Sequence, residues 1–166
     1  MSPARSADTP RLVFATRNAH KVAELEAIIA PLLPEGAGRI GRMSDFDVAE
    51  PVEDGASFEE NSLIKARSLC AATGIAALAD DSGLCVDIMG GAPGIFSARW
   101  SGAHGNDRAN LELLLAQLSD VPLHLRGAAF VSAAALVLPD GREFVELGRV
   151  EGHLTTAPQG EQGFGY

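Results

Sequence analysis

The first third of the chain combines one short apolar run with a set of apolar positions spaced three and four residues apart. The run at residues 12–15 has the length and composition of a buried strand. Pro31 and Pro34 limit the end of the helix that follows, because proline cannot continue the helical hydrogen-bond pattern. A short strand near residues 39–43 fits the next apolar positions. The spaced positions predict a helix with the inward stripe Val22, Leu25, Ile28, Ile29 and Leu32.

A second helix and two further strands are predicted in the middle of the chain. Ser57 and Glu60 form a capping-box pattern at the start of this helix, and Gly74 is a typical residue to end it. Residues 75–79 are an apolar run of strand length, which we expect to stop at the polar residues 80–83. Apolar character resumes immediately afterwards, which predicts a separate strand.

The last part of the chain predicts one more helix and a strand hairpin. Residues 127–138 are apolar at both sets of alternating positions, which is typical of a strand covered from two sides. A turn at residues 139–141 leads into a partner strand at 143–150. This order of elements predicts an α/β fold with a mixed central β-sheet flanked by helices and a long antiparallel hairpin. The helix has Asn106 as its N-cap and the leucine stripe Leu111, Leu114, Leu115 and Leu118.

Length and charge restrict the possible functions. The chain has 166 residues, enough for one domain, which we place at residues 11–166 after a flexible leader at residues 1–10. Its 13 basic and 22 acidic side chains give a net charge of −9, which disfavours binding to nucleic acid or to an anionic membrane surface. The sequence shows neither a secretory signal pattern nor an apolar run of about 18 residues. We therefore expect a cytoplasmic protein without a nucleic-acid or membrane partner.

Cysteine and lysine are both rare in this chain. Cys70 and Cys85 are too few for a disulfide scaffold or a four-cysteine zinc site, and their apolar neighbours predict two buried free thiols. Lys21 and Lys65 are the only lysines among the 13 basic residues. Lysine offers a compact point charge where a planar guanidinium does not suit the site. By number alone, both lysines also fit ordinary surface positions.

The first candidate site is the loop of residues 15–21, between the first strand and the first helix. Ligands of open α/β sheets bind beyond the carboxyl ends of the strands, and a helix N-terminus carries free amides that suit phosphate. Thr16 and Asn18 add neutral polar groups, and Lys21 adds a positive charge. The loop lacks the glycine pattern of a P-loop. An ordinary capped helix explains the same residues.

Two acidic segments are further candidates for chemistry. Asp80 and Asp81 stand at the predicted end of a strand, where a turn permitted by Gly83 lets both carboxylates face one ligand. Such a pair suits Mg²⁺, which prefers oxygen ligands and keeps several waters. A surface turn is the competing interpretation. The second segment, residues 50–55, has a solvated helix start as its simplest interpretation.

Five ordered segments together resemble the inosine triphosphate pyrophosphatase family, whose members hydrolyse deaminated purine nucleoside triphosphates. The resemblance implies a Mg²⁺-dependent hydrolase that converts ITP, dITP or XTP to the monophosphate and pyrophosphate and so cleanses the nucleotide pool. It also implies a homodimer. The segments are ATRNAHK (residues 15–21), EDGASFEEN with KAR (53–61 and 65–67), ADDSGL (79–84), GGAPGIFSARWSG (90–102) and GFGY (163–166).

The resemblance implies a role for each matching position. Asp81 corresponds to the carboxylate that accepts a proton from the attacking water. Glu53, Asp80 and Asp81 correspond to metal-binding positions, and Glu60 to a polar residue near the phosphate channel. Residues that match substrate-contacting positions are Thr16, Arg17, Asn18, Ala19, His20, Lys21, Lys65, Ser82, Phe164, Gly165 and Tyr166.

Two features depart from the family pattern. Arg17 stands where many members have glycine, which crowds the phosphate loop. Members continue after the tyrosine that matches Tyr166 with an aspartate and a helical segment that carries a lysine and a Ser-His-Arg triplet. We expect this chain to lack that segment, which contacts the purine and the phosphates.

Two other functions stay open at this point. A Maf-like nucleotide pyrophosphatase has a comparable loop and a different base specificity. A truncated chain, alternatively, binds nucleotide or pyrophosphate without turnover. Hydrolysis rates on a panel of nucleoside triphosphates distinguish the Maf-like activity from the purine-specific one. Measuring both nucleotide binding and pyrophosphate release distinguishes a non-catalytic binding protein from an enzyme.

Overall fold

The computed structural model describes residues 10–32, 40–160 and 165–166. Residues 1–9 of the predicted leader lie outside this range, and its last residue, Pro10, is buried. None of the described helices is both long enough and apolar enough to cross a membrane. The strands and α-helices are β1 (Leu12–Phe14), α1 (Ala19–Ile29), β2 (Ile40–Arg42), α2 (Phe58–Thr73), β3 (Ala76–Val86), α3 (Asp107–Gln117), β4 (Gly127–Val137) and β5 (Glu143–His153).

The strands form one mixed sheet in the order β2-β1-β3-β4-β5. β1 lies parallel to both of its neighbours, with Val13 opposite Gly41 of β2 and Ala77 of β3. A tight turn joins β4 to β5, and in it the Leu138 amide donates to the Arg142 carbonyl at 2.9 Å. The predicted α/β fold with a mixed sheet and a C-terminal hairpin is confirmed.

The chain divides into two compact units. One consists of Met1–Asp80 and Ala134–Glu146, and the other of Asp81–Ala133 and Leu147–Tyr166. Each of the strands β3, β4 and β5 therefore contributes residues to both units. The single domain at residues 11–166 stays a prediction.

The core of the first unit surrounds α2. Ser57 caps this helix, since its hydroxyl accepts a hydrogen bond from the Glu60 amide at 3.2 Å. Gly74 ends it in the left-handed conformation (φ 64°), which glycine adopts without a Cβ penalty. The predicted second helix is thus confirmed at both ends. The buried cluster of this unit is Val13, Ala15, Met43, Ala66, Leu69, Cys70, Ile75, Ala77, Ala79, Ala135 and Val137.

The core of the second unit surrounds α3. Asn106 is its N-cap, with the side-chain oxygen accepting from the Ala109 amide at 3.2 Å. Leu114 and Leu118 of the predicted leucine stripe are buried, and Leu111 and Leu115 are half-buried. The buried residues of this cluster are Leu84, Val86, Leu114, Leu118 and Ala128.

β3 differs most from the sequence prediction. The prediction that one strand stops at residues 80–83 and another begins after them is wrong, because β3 runs from Ala76 to Val86 without a break. Polar side chains interrupt the apolar pattern there, but strand pairing depends on backbone groups, which every non-proline residue supplies. The turn expected at Gly83, which was to bring both carboxylates to one ligand, is therefore absent.

Two elements bury less surface than their patterns predict. In α1 only Val22 is fully buried, while Ile28 is 63% exposed and Leu32 lies beyond the end of the helix. In β4 the prediction of a strand covered on both sides is wrong, since Phe130 is 51% exposed and Ser132 is exposed. An antiparallel hairpin commonly keeps one solvated face, which explains the second difference.

Candidate active site

The loop between β1 and α1 owes its shape to Asn18. The Asn18 Oδ1 atom accepts hydrogen bonds from the amides of His20 and Lys21 at 3.0 and 3.3 Å. Thr16 Oγ1 accepts from the Asn18 amide at 3.2 Å, while Ala19 and His20 are exposed. The first turn of α1 contains no acidic residue, so no side chain of that turn offsets the positive end of the helix dipole. The loop therefore presents a positive helix end to solvent.

Arg17 connects this loop to the acidic segment. Its guanidinium donates to the Val48 carbonyl at 3.1 Å and forms an ion pair with Glu50 at 3.3 Å. Both partners of the ion pair are more than half exposed, with 55% and 60% of their side-chain surface accessible. Arg17 thus binds residues of its own unit. A glycine at this position cannot make these contacts, because it has no side chain.

Lys21 and Asp80 form a partly buried ion pair. The Lys21 Nζ atom lies 2.6 Å from Asp80 Oδ2, and the two side chains are only 22% and 14% exposed. The strand register explains this contact, because Phe14 lies opposite Leu78 and the loop after β1 therefore begins next to residue 80. The other oxygen of Asp80, Oδ1, is buried without a hydrogen-bond partner among the described residues. A buried acceptor without a donor is costly, so this atom is suited to a further ligand.

The second lysine also pairs with a carboxylate. Lys65 Nζ lies 3.4 Å from Glu53 Oε2, with 14% and 35% of the two side chains exposed. Both lysines are therefore held against carboxylates that the family resemblance assigns to the metal. The interpretation of Lys21 and Lys65 as ordinary surface residues is wrong.

The loop that carries Glu53 is held by the first turn of α2. The Gly55 amide donates to Asn61 Oδ1 at 2.9 Å, and the Ala56 amide donates to Glu60 Oε2 at 2.6 Å. Asn61 is 1% exposed. Glu60 therefore fixes the backbone of the loop, and its place near the phosphate channel stays a prediction. Sequence reasoning missed this function of Asn61, although the residue lies within the EDGASFEEN segment.

The predicted catalytic carboxylate belongs to the second unit. Asp81 is half-buried and Ser82 is exposed, and each makes a polar interaction. Within residues 10–32, 40–160 and 165–166, no three His, Cys, Asp or Glu side chains are close enough to hold a metal ion. The structure thus pairs Glu53 and Asp80, both in the first unit, with lysines of that unit.

The C-terminal segment that was expected to contact the base is anchored in the second unit. The Tyr166 hydroxyl donates to the Ser97 carbonyl at 2.9 Å, and the Gly165 amide donates to Asp107 Oδ2 at 3.2 Å. Burial, with a smaller contribution from the charge of Asp107, raises the pKa of Tyr166 to about 12. Phe164 lies outside the described residues. The contact of Tyr166 with the base stays a prediction.

Two further buried polar residues hold the GGAPGIFSARWSG segment in place. Ser97 Oγ accepts from the Leu84 amide at 2.9 Å and donates to the Gly94 carbonyl at 2.7 Å. Asn110 Oδ1 accepts from both the amide and the hydroxyl of Ser101 at 2.7 Å. These side chains fix the segment to β3 and α3, a role that no pattern in the sequence indicated.

Neither cysteine has the properties of a nucleophile. Both thiols are free; Cys70 is buried as predicted, whereas Cys85 is only half-buried. Burial is the largest influence on both thiols and raises the pKa of each. The charge of Asp140 raises the pKa of Cys70 further, while at Cys85 the charge of Arg149 lowers the pKa and that of Asp87 raises it. A protonated thiol is a poor nucleophile, so neither cysteine is assigned a role in the candidate site.

Comparison with known proteins places the chain in a family. The sequence profile of the Ham1 family matches residues 12–166. The dITP/XTP pyrophosphatase of Streptomyces avermitilis is 56% identical over 160 residues, covering 94% of this chain and 78% of that protein. The dITP/XTP pyrophosphatase of Streptomyces coelicolor is 54% identical over 157 residues, with the same two coverages of 94% and 78%.

Solved structures agree with the sequence comparison. The crystal structure of a nucleoside-triphosphatase, dITP/XTP pyrophosphatase, from Mycobacterium abscessus has a TM-score of 0.80 at 50% identity, covering 93% of this chain and 78% of that one. A HAM1 protein from Coxiella burnetii has a TM-score of 0.84 at 32% identity, covering 95% of this chain and 79% of that one. The chain belongs to the Ham1 family.

Proposed function

We propose that this protein hydrolyses the non-standard purine nucleoside triphosphates ITP, dITP and XTP to the monophosphate and pyrophosphate. The observation that carries the proposal is its high identity, over most of its length, to dITP/XTP pyrophosphatases. Both of its lysines lie beside carboxylates in the segments that carry the family resemblance. The cellular role is the removal of deaminated purines from the nucleotide pool.

The reaction forms one bond and breaks one bond. The oxygen of a water molecule attacks the α-phosphorus, and the bond from this phosphorus to the bridging oxygen of the β-phosphate breaks. The bridging oxygen leaves as part of pyrophosphate. Asp81 accepts the proton that the water gives up, a contribution that is typically ~10²–10⁴-fold in rate for a general base.

The phosphate chain is held mainly by the two ammonium groups. The amides of His20 and Lys21 already donate to Asn18, so the charge of Lys21 is the principal attraction in this loop. Lys65 supplies the second positive charge, and Thr16 and Ser82 add hydroxyl groups. Positive charge placed where the leaving pyrophosphate gains negative charge lowers the barrier to the reaction.

Glu53 and Asp80 each have a carboxylate oxygen suited to a divalent cation. Mg²⁺ usually binds to one or two protein carboxylates, and waters and substrate phosphates complete its coordination. Asp80 Oδ1 is a buried oxygen without a donor among the described residues, and Glu53 keeps 35% of its side chain exposed. From the family resemblance we propose that Glu53, Asp80 and Asp81 supply ligands to Mg²⁺, which when bound would offset negative charge on the phosphates.

A homodimer is part of the proposal. β5 is an edge strand of the sheet, and Leu147 and Val150 on it are 53% and 71% exposed. Proteins generally cover or disrupt an edge strand of this length, because its free backbone groups would otherwise pair with other chains. Sedimentation at several concentrations should give twice the chain mass of 17.3 kDa. A single-chain mass at every concentration contradicts the dimer.

We also propose that the protein acts in the cytoplasm. The proposal is supported by its two free thiols, because reduced cysteines are typical of proteins in that compartment. Fractionation of the native host should place the protein with cytoplasmic enzymes. Recovery in the secreted fraction contradicts this location.

The proposed reaction is tested by measuring pyrophosphate release from a panel of triphosphates. ITP, dITP and XTP should be hydrolysed in the presence of Mg²⁺, with ATP, GTP, UTP and dTTP much slower, and EDTA should abolish turnover. Faster hydrolysis of UTP or dTTP contradicts the purine specificity and supports a Maf-like activity. Binding of XTP without pyrophosphate release contradicts the enzymatic function and supports a non-catalytic nucleotide-binding protein.

A further inference from the structure

The two lysine–carboxylate pairs share one property: each joins a residue assigned to the triphosphate with a residue assigned to the cation. We propose that the cation and the triphosphate bind cooperatively by exchange of these ion pairs, so that each lysine leaves its carboxylate for a phosphate while the carboxylate takes the cation. This inference rests on the proposed function, because it concerns the same site.

The first pair, Lys21 and Asp80, is a close ion pair that is partly shielded from water. Lys21 Nζ and Asp80 Oδ2 are in direct contact at 2.6 Å, and less than a quarter of either side chain is exposed. Charges that are shielded from water interact more strongly than charges at the surface. Asp80 also keeps a buried oxygen, Oδ1, that has no donor in the described part of the chain. The Asp80 carboxylate can therefore accept a second positively charged partner through Oδ1.

Either ligand alone disturbs this pair. A phosphate that draws Lys21 away leaves Asp80 as a partly buried, uncompensated negative charge, which is unfavourable. A cation that binds Asp80 alone places a positive charge beside the Lys21 ammonium. When both ligands bind, the phosphate compensates the lysine and the cation compensates the aspartate. Each ligand therefore binds with a free-energy cost when it is alone, because it leaves a charge uncompensated. Binding of the other ligand removes that cost.

The second pair repeats the arrangement within the same unit. Lys65 and Glu53 lie 3.4 Å apart, and only 14% of the lysine side chain is exposed. The longer distance and the more exposed carboxylate predict a weaker coupling than at Lys21 and Asp80. All lysines of this chain are therefore engaged in such pairs.

An arginine pair in the same unit provides a matched control. Arg67 donates to both oxygens of Glu143, at 2.7 and 2.6 Å, and 54% of the arginine side chain is exposed. Neither residue has a role in the proposed site. The variants E143Q and R67M change the net charge by the same amount as D80N and K21M, so they separate ion-pair exchange from a general effect of charge.

The first experiment measures the binding of tripolyphosphate by calorimetry with EDTA present. In the wild-type chain Asp80 competes with the anion for Lys21, so D80N should tighten binding about tenfold, a value within the usual range of coupling between sites. K21M should weaken binding. In the K21M background D80N should have no further effect, because the competition needs the lysine. E143Q should leave the affinity within about twofold of wild type.

The second experiment measures the reciprocal effect on Mn²⁺ with no anion present. K21M should bind Mn²⁺ about tenfold more tightly than the wild-type chain, since the ammonium no longer occupies Asp80. K65M should show a smaller gain, and R67M should show none. Circular dichroism of each variant establishes that it is folded before its affinity is compared.

The outcomes distinguish this inference from the proposed function. If D80N tightens tripolyphosphate binding equally in the wild-type and K21M backgrounds, the effect is a general one of charge and the exchange is refuted. If D80N does not tighten tripolyphosphate binding, or K21M does not tighten Mn²⁺ binding, while the wild-type chain hydrolyses XTP, the coupling is refuted and the enzymatic function stands. If the wild-type chain neither binds tripolyphosphate nor hydrolyses XTP, both proposals fail.

Discussion

The side-chain oxygen of Asn61 accepts a hydrogen bond from the Gly55 amide at 2.9 Å, and the first turn of α2 thereby holds the loop that begins at Glu53. Asn61 is 1% exposed, so it does not rearrange without disturbing the core. The position of a carboxylate in the candidate site thus depends on a residue for which we propose no contact with ligand. A change at Gly55 or Asn61 should affect both folding and the site.

Replacing Gly55 with alanine should destabilise the protein. An added Cβ atom lies 2.7 Å from both Asn61 Oδ1 and Glu60 Cβ, so the loop has to move. We expect a loss of about 1–3 kcal/mol in the free energy of unfolding, as for other overpacked sites. Urea unfolding followed by circular dichroism measures the loss. The matched control is Gly152→Ala, because a Cβ atom at Gly152 meets nothing within 4 Å; equal stability of the two variants contradicts the prediction.

Replacing Asp81 with asparagine should remove most of the catalytic activity. The substitution keeps the size of the side chain but removes the group that accepts the proton, so pyrophosphate release from XTP should fall by ~10²-fold or more. Asp120 is exposed, and Asp120→Asn is therefore the control for loss of one negative charge. Near-normal turnover in Asp81→Asn would exclude Asp81 as the proton acceptor.

Replacing Lys21 with alanine should mainly raise KM for the triphosphate. The ammonium is the principal positive charge of the phosphate loop, and its loss weakens ground-state binding; some decrease in kcat follows if it also stabilises the leaving pyrophosphate. Arg108 has 88% of its side chain exposed, so Arg108→Ala controls for the lost charge. Steady-state kinetics at saturating Mg²⁺ test this, and identical constants for Lys21→Ala and wild type contradict it.

Tyr166 should titrate at an unusually high pH. It is the only tyrosine of the chain, so the tyrosinate absorbance band reports this residue alone. Burial raises its pKa from 10.0 to about 12 in the folded protein, and the folded state therefore favours the neutral phenol. Its contribution to stability is fully present below pH 10 and is lost as the pH rises from 10 to 12.

The variant Tyr166→Phe tests whether this change in stability with pH comes from Tyr166. Tyr166→Phe cannot titrate, so the difference in stability between the variant and wild type should shrink between pH 10 and pH 12. Below this range the variant should be less stable by about 0.5–1.5 kcal/mol, because the hydrogen bond to the Ser97 carbonyl is lost. A native titration midpoint near 10, the value of an exposed tyrosine, contradicts the burial of Tyr166.

Sequence predicts best those elements whose ends are set by neighbouring residues along the chain. α2 begins after Ser57 and ends at Gly74, because a hydroxyl cap and a left-handed glycine act within one turn of the helix. The strand of residues 75–79 was predicted to end at an aspartate pair, but β3 continues to Val86. Strand length depends on backbone partners from distant segments, which a local pattern of polar residues does not reveal.

In the candidate site, too, sequence predicts some features and misses those that depend on the folded structure. The sequence indicates the loop of residues 15–21 and the Asp80-Asp81 pair as candidate groups for phosphate and cation, and these roles stay predictions. Sequence did not indicate that Glu60 and Asn61 bind the backbone of residues 55–56, because either side chain is equally compatible with a solvated helix start.

By itself the sequence determined the α/β class, the caps of α2 and α3, the acidic charge and the family segments, since each follows from residue types at short spacing. Only the tertiary structure decided that Lys21 meets Asp80, a contact between residues 59 positions apart. That contact exists because β1 pairs in parallel with β3 and sets Phe14 opposite Leu78. A register of this kind depends on which buried surfaces fit together across the whole sheet, and no single segment carries that information.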